Sequence, residues 1–237
     1  MGKVAVVTGG SGGIGFASAA ALVQRGYEVV LTARRPGPLE AAAKELGARW
    51  VAADAADEAS FAAVVADLDE VHLLVHAAGI LAGTFVRKEA VETFDEVIRA
   101  NLRSTFVTTA AVLPRMPVGS RIIFISSSAA NQPQRGRAAY SASKAGMNAF
   151  AAALAGEVAR DGINVNVLTP APVDTAMLEQ VTFPMHTLKS KDVADAVAFL
   201  DSLDPSVVLP ELVLRAADEG PLAPEPILPE GYKEKQA

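Results

Sequence analysis

The chain of 237 residues contains no cysteine, three histidines and few aromatic side chains. Without cysteine it has no disulfide bond, no thiolate nucleophile and no cysteine-based zinc site, and three histidines give no support to a histidine-rich metal centre. No apolar run approaches the roughly 18 residues of a membrane span. The first apolar stretch runs straight into glycines, so no signal peptide is expected. These absences predict a cytoplasmic protein that acts without a metal or a membrane.

Positive charge is also scarce. Lys and Arg number 21 against 27 Asp and Glu, which gives a net charge of −6. A nucleic-acid-binding protein needs a basic face for phosphates, so this class is not expected. Apolar residues make up 51% of the chain. A chain of this length can bury one α/β domain well but is short for two.

Short β-branched runs alternate with longer helical patterns. The expected strands lie near residues 3–8, 28–33, 49–53, 71–76, 120–126, 163–168 and 207–214. The expected helices lie near residues 13–25, 37–46, 57–67, 88–116, 138–160 and 191–203. This alternation predicts βαβ units, and strands that are apolar throughout predict a sheet covered on both faces. We expect a single Rossmann-type α/β domain over 1–220, a doubly wound parallel sheet of about seven strands, and a proline-rich tail over 221–237 that is extended or disordered.

A glycine-rich turn follows the first strand, where residues 8–15 read TGGSGGIG. Glycines allow backbone N–H groups to approach a pyrophosphate, and the N-terminus of the next helix adds partial positive charge. An ordinary tight turn is the alternative interpretation, but this position after the first strand is the context that a dinucleotide site requires. The expected phosphate-binding residues are Gly9, Ser11, Gly12, Gly13, Ile14 and Gly15.

Tyr140 and Lys144 stand four positions apart on an expected helix and therefore share one face. A free tyrosine titrates near ~10, and a nearby ammonium favours the phenolate and lowers the tyrosine pKa. A general acid–base works best when its pKa is close to the operating pH. A chance surface pair is the alternative, but the apolar strand and the serine triplet just upstream favour a catalytic role.

The glycine spacing and the Tyr-x-x-x-Lys pair together resemble the short-chain dehydrogenase/reductase family, over residues 3 to about 215. The resemblance implies an oxidoreductase that transfers hydride between a nicotinamide and a small carbonyl or alcohol substrate. It also implies a catalytic set. In this set Tyr140 is the acid–base, Ser127 holds the carbonyl oxygen, Lys144 tunes Tyr140 and binds the nicotinamide ribose, and Asn101 supports proton resupply.

The end of the second strand favours NADP(H) as the cofactor. Family members that prefer NAD usually carry an acidic residue there, whereas this chain has Arg34 and Arg35. A guanidinium fork suits a 2′-phosphate, and a pair of solvated loop arginines is the alternative. The resemblance implies further cofactor contacts at Asp54, Ala55, Ala77, Ala78, Gly79, Tyr140, Lys144, Pro170, Val173 and Thr175.

Two segments depart from the family pattern. Residues 76–79 read HAAG where the family has Asn-Asn-Ala-Gly, and we expect His76 to support the turn after the fourth strand. Ala171 replaces the glycine that usually follows Pro170. Because glycine alone tolerates a positive φ freely, this change puts the local backbone shape in question.

In the family that this chain resembles, the segment before the last helix closes over the substrate. Here the segment is short and apolar, which predicts a small apolar carbonyl substrate. Its apolar residues are Met177, Leu178, Val181, Phe183 and Met185. Arg135 and Arg137 keep open a 3-oxoacyl-thioester reductase that meets an acidic carrier protein. A non-catalytic NADP(H) sensor is the alternative of another class, although it usually loses the tyrosine or the lysine. We expect a homo-oligomer, either a dimer or a tetramer.

Overall fold

The computed structural model describes residues 2–178 and 186–217. Within these residues the strands are β1 (Val4–Thr8), β2 (Glu28–Ala33), β3 (Arg49–Ala52), β4 (Leu73–His76), β5 (Arg121–Ile125), β6 (Asn164–Pro170), β7 (Val173–Asp174), β8 (Leu188–Lys189) and β9 (Glu211–Leu214). Seven of them form one parallel sheet in the order β3-β2-β1-β4-β5-β6-β9, and β7 pairs with β8. The predicted doubly wound α/β fold is confirmed.

The α-helices lie between the strands, as the alternating sequence pattern predicts. They are α1 (Gly13–Gln24), α2 (Pro36–Leu46), α3 (Glu58–Val65), α4 (Val91–Ile98), α5 (Ser104–Val112), α6 (Ala138–Val158) and α7 (Ser190–Ser202). Single 3₁₀ turns lie at Val86–Lys88, Leu113–Arg115, Ser128–Ala130 and Ala159–Asp161. Among the described residues, no helix is both long enough and apolar enough to cross a membrane.

The sheet divides the apolar core into two layers because successive side chains of a strand point to opposite faces. On β1, Ala5 and Val7 belong to the layer that α1, α2 and α7 cover. Val6 belongs to the other layer, together with Phe61 of α3 and Met147 of α6. Since both faces are buried at the centre of the sheet, β1, β4 and β5 are mainly apolar rather than alternating.

The helix expected over 88–116 is divided into several segments. A π-helical turn at Arg99–Arg103 separates α4 from α5, and a 3₁₀ turn ends the segment. The strand expected over 207–214 is also shorter, because β9 begins at Glu211. The preceding residues are not all extended, because the Val207 N–H closes a turn on the Asp204 carbonyl, and Pro210 hydrogen-bonds to β6 only through its carbonyl, which accepts the Val167 N–H. The tail expected over 221–237 lies outside the described residues.

The strand order reverses between β1 and β4, since the chain winds outward from β1 to β3 and then returns to place β4 on the other side. In sheets of this type, ligands bind in the crevice outside the carboxyl ends of the strands at this reversal. The turns after β1, β2, β3, β4, β5 and β6 therefore define the candidate site.

Candidate active site

The glycine turn after β1 is held against the turn after β4. The Thr8 hydroxyl accepts hydrogen bonds from the N–H groups of Ala77 (3.2 Å) and Ala78 (3.1 Å). Gly9 has a φ of 70°, and a Cβ there would lie 2.8 Å from the Ala77 carbonyl oxygen. At Gly15 a Cβ would overlap the Gly9 carbonyl oxygen. Only glycine fits these two positions without moving the backbone.

The first turn of α1 leaves its N–H groups available to a ligand. No side chain caps this helix at Gly12, and no acidic residue lies in its first turn. The first N–H groups of a helix have no partner within the helix, so they form an anion site when nothing else caps them. Thr175 lies above this turn, with its Cγ2 atom 3.3 Å from the position of a Cβ at Gly13.

A cleft of about 320 Å³ extends from this turn across the ends of β2 and β3. It brings together seven of the residues predicted to bind the cofactor, which are Ser11, Arg34, Arg35, Asp54, Ala55, Ala78 and Gly79. Residues missed in the sequence also line it, namely Thr32, Ala33, Ala53, Ile80, Arg99, Ala100 and Ser104. The Thr32 hydroxyl is buried and has no hydrogen-bond partner among the described residues.

Four charged side chains of this region form a chain of alternating sign. Arg34 contacts Glu96 at 3.1 Å, Glu96 lies 3.7 Å from Arg99, and Arg99 binds Asp54 at 2.6 Å. Burial raises the pKa of Asp54, but hydrogen bonds from Arg99 and the Ala56 N–H outweigh this effect and leave the pKa below its usual value. The Asp54 carboxylate, which was predicted to contact the cofactor, therefore already has a cationic partner in Arg99.

His76 ends β4 and is completely enclosed by protein. Its two ring nitrogens lie 3.1 Å from the Thr108 hydroxyl and 3.0 Å from the Thr109 hydroxyl, and its ring stacks on Phe124. Burial, with a further contribution from the charge of Lys144, lowers the pKa of His76 to about 3. A neutral histidine at this position joins β4 to α5, in keeping with a supporting role.

Asn101 lies in the π-helical turn and is fully buried. Its amide oxygen accepts the Ile80 N–H at 2.7 Å, and its amide nitrogen donates to the Ile80 carbonyl and the Ser143 hydroxyl, both at 3.0 Å. This side chain therefore fixes the turn after β4 against α6. Gly79 beside it has no room for a Cβ, which would lie 2.9 Å from the Asn101 oxygen.

Ser127 is the member of the serine triplet that contacts Tyr140. Ser126 instead donates to the Asn148 amide oxygen at 2.6 Å, and Ser128 begins the 3₁₀ turn. Burial raises the pKa of Tyr140, while the hydrogen bond from Ser127 and the positive charge of Arg137 partly oppose the shift. Burial dominates, so the pKa of Tyr140 is raised in this structure, and the tuning of Tyr140 by Lys144 stays a prediction.

Lys144 is also buried, on the same face of α6. Its ammonium donates to the Ile125 carbonyl at 2.8 Å and lies 5.9 Å from the centre of the Tyr140 ring. Desolvation lowers the pKa of Lys144 to about 8. The two groups are therefore neighbours, as the four-residue spacing predicts, without a direct hydrogen bond between them.

A second cavity, of about 100 Å³, lies beside Tyr140. It contains the predicted Ile14, Ser127, Tyr140, Pro170, Val173, Thr175, Met177 and Leu178, and in addition Leu81, Ser126, Ser128, Ala129, Gln134, Arg137, Ala171 and Pro172. Ala171 has a negative φ, so the replacement of the family's glycine causes no strain. Val181, Phe183 and Met185, which were expected to cover the substrate, lie outside the described residues.

The family model described as short chain dehydrogenase matches residues 3–184. The chain belongs to the short-chain dehydrogenase family. Its members are NAD(P)-dependent oxidoreductases, and this enzyme is accordingly an oxidoreductase with a small-molecule substrate. The functional class predicted from the sequence is confirmed, together with the recognition of the family.

Two curated relatives of this short-chain dehydrogenase carry names that state their substrates. The 3-oxoacyl-[acyl-carrier-protein] reductase FabG of Escherichia coli K12 is 36% identical over 220 residues, which cover 85% of this chain and 90% of the relative. The acetoacetyl-CoA reductase of Allochromatium vinosum is also 36% identical, over 227 residues that cover 84% of this chain and 91% of the relative.

Solved structures show the same fold. A short-chain dehydrogenase from Burkholderia cenocepacia in complex with NADP has a TM-score of 0.82 and 28% identity, covering 90% of this chain and 96% of its own. A blue fluorescent protein from a metagenomic library, in complex with NADPH, has a TM-score of 0.81 and 31% identity, covering 89% of this chain and 95% of its own.

Proposed function

We propose that this enzyme is an NADP(H)-dependent reductase of small carbonyl compounds, which catalyses the reverse alcohol oxidation when product is in excess. The observation that carries the proposal is that Ser127 and Tyr140 lie together in the wall of a cavity that Ile14 of the glycine turn also lines. A proton donor and a second hydroxyl thus face a space that adjoins the dinucleotide turn.

Three features of the cleft support a dinucleotide cofactor. The α1 N-terminus is uncapped, Gly9 and Gly15 leave no room for a Cβ, and the buried Thr32 hydroxyl has no protein partner among the described residues. Arg34 and Arg35 line the same cleft and suit a 2′-phosphate. The neighbouring structures with NADP and NADPH agree with this choice. When bound, NADPH supplies the hydride.

The side chains of the catalytic set provide the proton and the orientation. Ser127 and Tyr140 hold the carbonyl oxygen, and the phenol transfers its proton to that oxygen as the alcohol forms. Since burial keeps the pKa of Tyr140 raised, the phenol is protonated at neutral pH, which is the form that reduction requires. Lys144 remains mainly an ammonium at that pH and favours the phenolate that results. Asn101 supports proton resupply by fixing the turn next to Lys144.

A 3-oxoacyl-thioester reductase is the second candidate. The Escherichia coli and Allochromatium relatives are named for such substrates, and Arg135 in the exposed loop before α6 suits an acidic carrier protein. The two candidates differ in the size of the molecule that must reach Tyr140, so a comparison of free ketones with thioesters separates them.

A homo-oligomer located in the cytoplasm completes the proposal. The surface of α4 and α5 supports self-association, because Val91, Phe94 and Phe106 expose large apolar side chains there. We expect a dimer or tetramer by light scattering and a shift toward monomer in Phe106→Asp. A monomeric wild-type protein would contradict this part of the proposal.

The function is tested by NADPH and NADH oxidation across aldehydes, ketones, diketones, oxo acids and 3-oxoacyl thioesters. We expect NADPH-dependent turnover that falls at least ~10²-fold in Tyr140→Phe, while NADPH binding stays within about twofold. Tyr27→Phe is the matched control, because Tyr27 is a second buried tyrosine that binds Asp201 away from the site. Nucleotide binding without turnover of any carbonyl would favour the sensor alternative.

A further inference from the structure

The cavity beside Tyr140 contains one charged side chain, that of Arg137, among the described residues that line it. Arg137 is the N-cap residue of α6, three positions before Tyr140, and its side chain is half-buried. Its charge reaches the phenol, since it opposes the rise in the pKa of Tyr140. A guanidinium therefore borders the space in which the substrate carbonyl would react.

This guanidinium has no carboxylate partner in the described parts of the chain, whereas Arg25, Arg34, Arg49 and Arg99 each form an ion pair there. The local sequence explains why. Residues 97–156 contain no Asp or Glu, although they include six arginines and Lys144. A half-buried cation that lacks a partner is costly to maintain, and an ion pair with a ligand would offset the cost.

The start of α6 adds to the positive potential at the same position. Arg137 supplies no side-chain cap, and no acidic residue lies in the first turn. The unpaired N–H groups of this turn favour a negative group nearby. Apart from the amide of Gln134, the remaining lining is apolar or hydroxylic, as in Leu81, Met177 and Ser127. At about 100 Å³ the cavity is also smaller than the usual ligand pockets, which exceed roughly 300 Å³.

Resting on the reductase function proposed above, we propose that the substrate is a small oxo acid whose carboxylate pairs with Arg137 while its carbonyl oxygen lies between Ser127 and Tyr140. Hydride from NADPH adds to the carbonyl carbon, the π pair moves to oxygen, and that oxygen takes the phenol proton of Tyr140. The products are a hydroxy acid and NADP⁺, and the phenolate regains a proton from solvent. The carboxylate is unchanged and serves to orient the substrate.

Arg137 is the specificity-determining residue in this scheme. The proposed substrate is therefore an anion, whereas the sequence predicted an apolar compound. A guanidinium binds a carboxylate through two parallel hydrogen bonds, which fixes the direction of a short molecule. A neutral ketone or ester of the same length would lack this contact and would leave the cation unpaired.

The test compares two matched substrate pairs, 3-oxobutanoate with its methyl ester and 4-oxopentanoate with its methyl ester. In the wild type we expect the better acid to exceed its ester in kcat/KM by about tenfold or more. Arg137→Gln should lower kcat/KM for that acid by about thirtyfold, mainly through KM, and change the ester less than threefold. Arg137→Lys should recover part of the loss, and Arg135→Gln, in the same loop but outside the cavity, should leave both substrates within about twofold.

Equal loss for acid and ester in Arg137→Gln would overturn the proposal, because Arg137 would then act on Tyr140 alone. A wild type that prefers acetoacetyl-CoA to both acids by tenfold, with no effect of Arg137→Gln on the acids, would overturn it in favour of the thioester. Failure to oxidise NADPH with any carbonyl would instead count against the reductase function. Binding of butanoate and butanamide, measured calorimetrically, tests the ion pair without turnover: equal affinities in the wild type would reject it.

Discussion

The cleft proposed to hold the adenosine half of the cofactor (the adenosine cleft) and the cavity proposed to hold the substrate (the substrate cavity) lie at the same edge of the sheet. Their positive charges differ in whether they are paired. In the cleft, Arg34 and Arg99 are bound by Glu96 and Asp54, and the Arg34–Glu96 pair is about half exposed, at 54% and 42%. Beside the cavity, Lys144 is buried and Arg137 is half-buried, and neither has a carboxylate partner among the described residues.

This difference in charge pairing indicates which ligand or reaction each region serves. Exposed ion pairs contribute little to stability, about 0–1 kcal/mol, so a phosphate can displace Glu96 from Arg34 at small cost. A buried or half-buried cation without a counter-ion is unfavourable in the protein alone, which indicates that it is maintained for the reaction or for a ligand. The catalytic end should therefore carry large functional effects and a stability cost, and the adenosine end small ones.

Removal of the buried ammonium gives the largest expected effect. Lys144→Met should lower turnover by roughly 10²-fold or more, because the phenolate loses its stabilising charge. The free energy of unfolding at pH 7 should not fall. The pKa of Lys144 drops from 10.5 to about 8 on folding, so its ammonium destabilises the wild type at pH 7 and this cost disappears as the pH rises from about 8 to 10.5.

Turnover and urea denaturation of Lys144→Met at pH 7 and pH 9.5 provide the measurement. Lys191→Met is the control, since Lys191 is exposed on α7 and pairs with Asp195. Turnover that stays within tenfold of the wild type would show that Lys144 is not a catalytic residue. It would also contradict the claim that the unpaired cations carry larger functional effects than the paired ones.

The second largest expected effect is a loss of folding stability at acid pH, caused by the buried His76. The pKa of His76 falls from 6.5 to about 3 on folding, so the unfolded chain binds more protons between these values and stability decreases as the pH falls through that window. His76→Asn removes this group, and the difference in the urea midpoint between pH 7 and pH 4.5 should become smaller than in the wild type. An unchanged difference would show that His76 is not the acid-sensitive group.

The paired charges of the adenosine cleft give the smallest expected effect. Glu96→Gln frees Arg34 and should tighten NADPH binding by about two- to fivefold, without a change for NADH, since an exposed pair is worth about 0–1 kcal/mol. The gain should vanish in the Arg34→Ala background, which a double-mutant cycle by fluorescence titration checks. Glu28→Gln, which breaks the exposed pair with Arg49, is the control. Equal tightening of both cofactors would contradict the role of Glu96.

The parts of this site that depend on local spacing could be predicted from the sequence. The glycine turn requires only a short chain segment between β1 and α1, and Tyr140 and Lys144 share a face because one helix carries both. Strand–helix alternation likewise fixes a parallel sheet, since parallel strands need a crossover.

Contacts between distant segments could not be predicted in this way. The pairing of Arg99 with Asp54 joins residues 45 positions apart. In the π-helical turn, Asn101 both accepts a hydrogen bond from Ile80 and donates one to it, over 21 positions. The raised pKa of Tyr140 depends on burial, which no spacing reveals. Arg135 and Arg137 look equivalent in the sequence, and only the fold shows that Arg137 lines the cavity.

Hydride transfer with proton donation by Tyr140 is the central claim, and isotope transfer tests it most directly. NADPH that carries deuterium at both C4 positions is incubated with the best carbonyl substrate, and the alcohol is analysed by mass spectrometry. The account predicts one deuterium at the former carbonyl carbon with the wild type and with Tyr27→Phe, and almost no alcohol with Tyr140→Phe. Alcohol that lacks deuterium, or labelled alcohol formed at the wild-type rate by Tyr140→Phe, would contradict it.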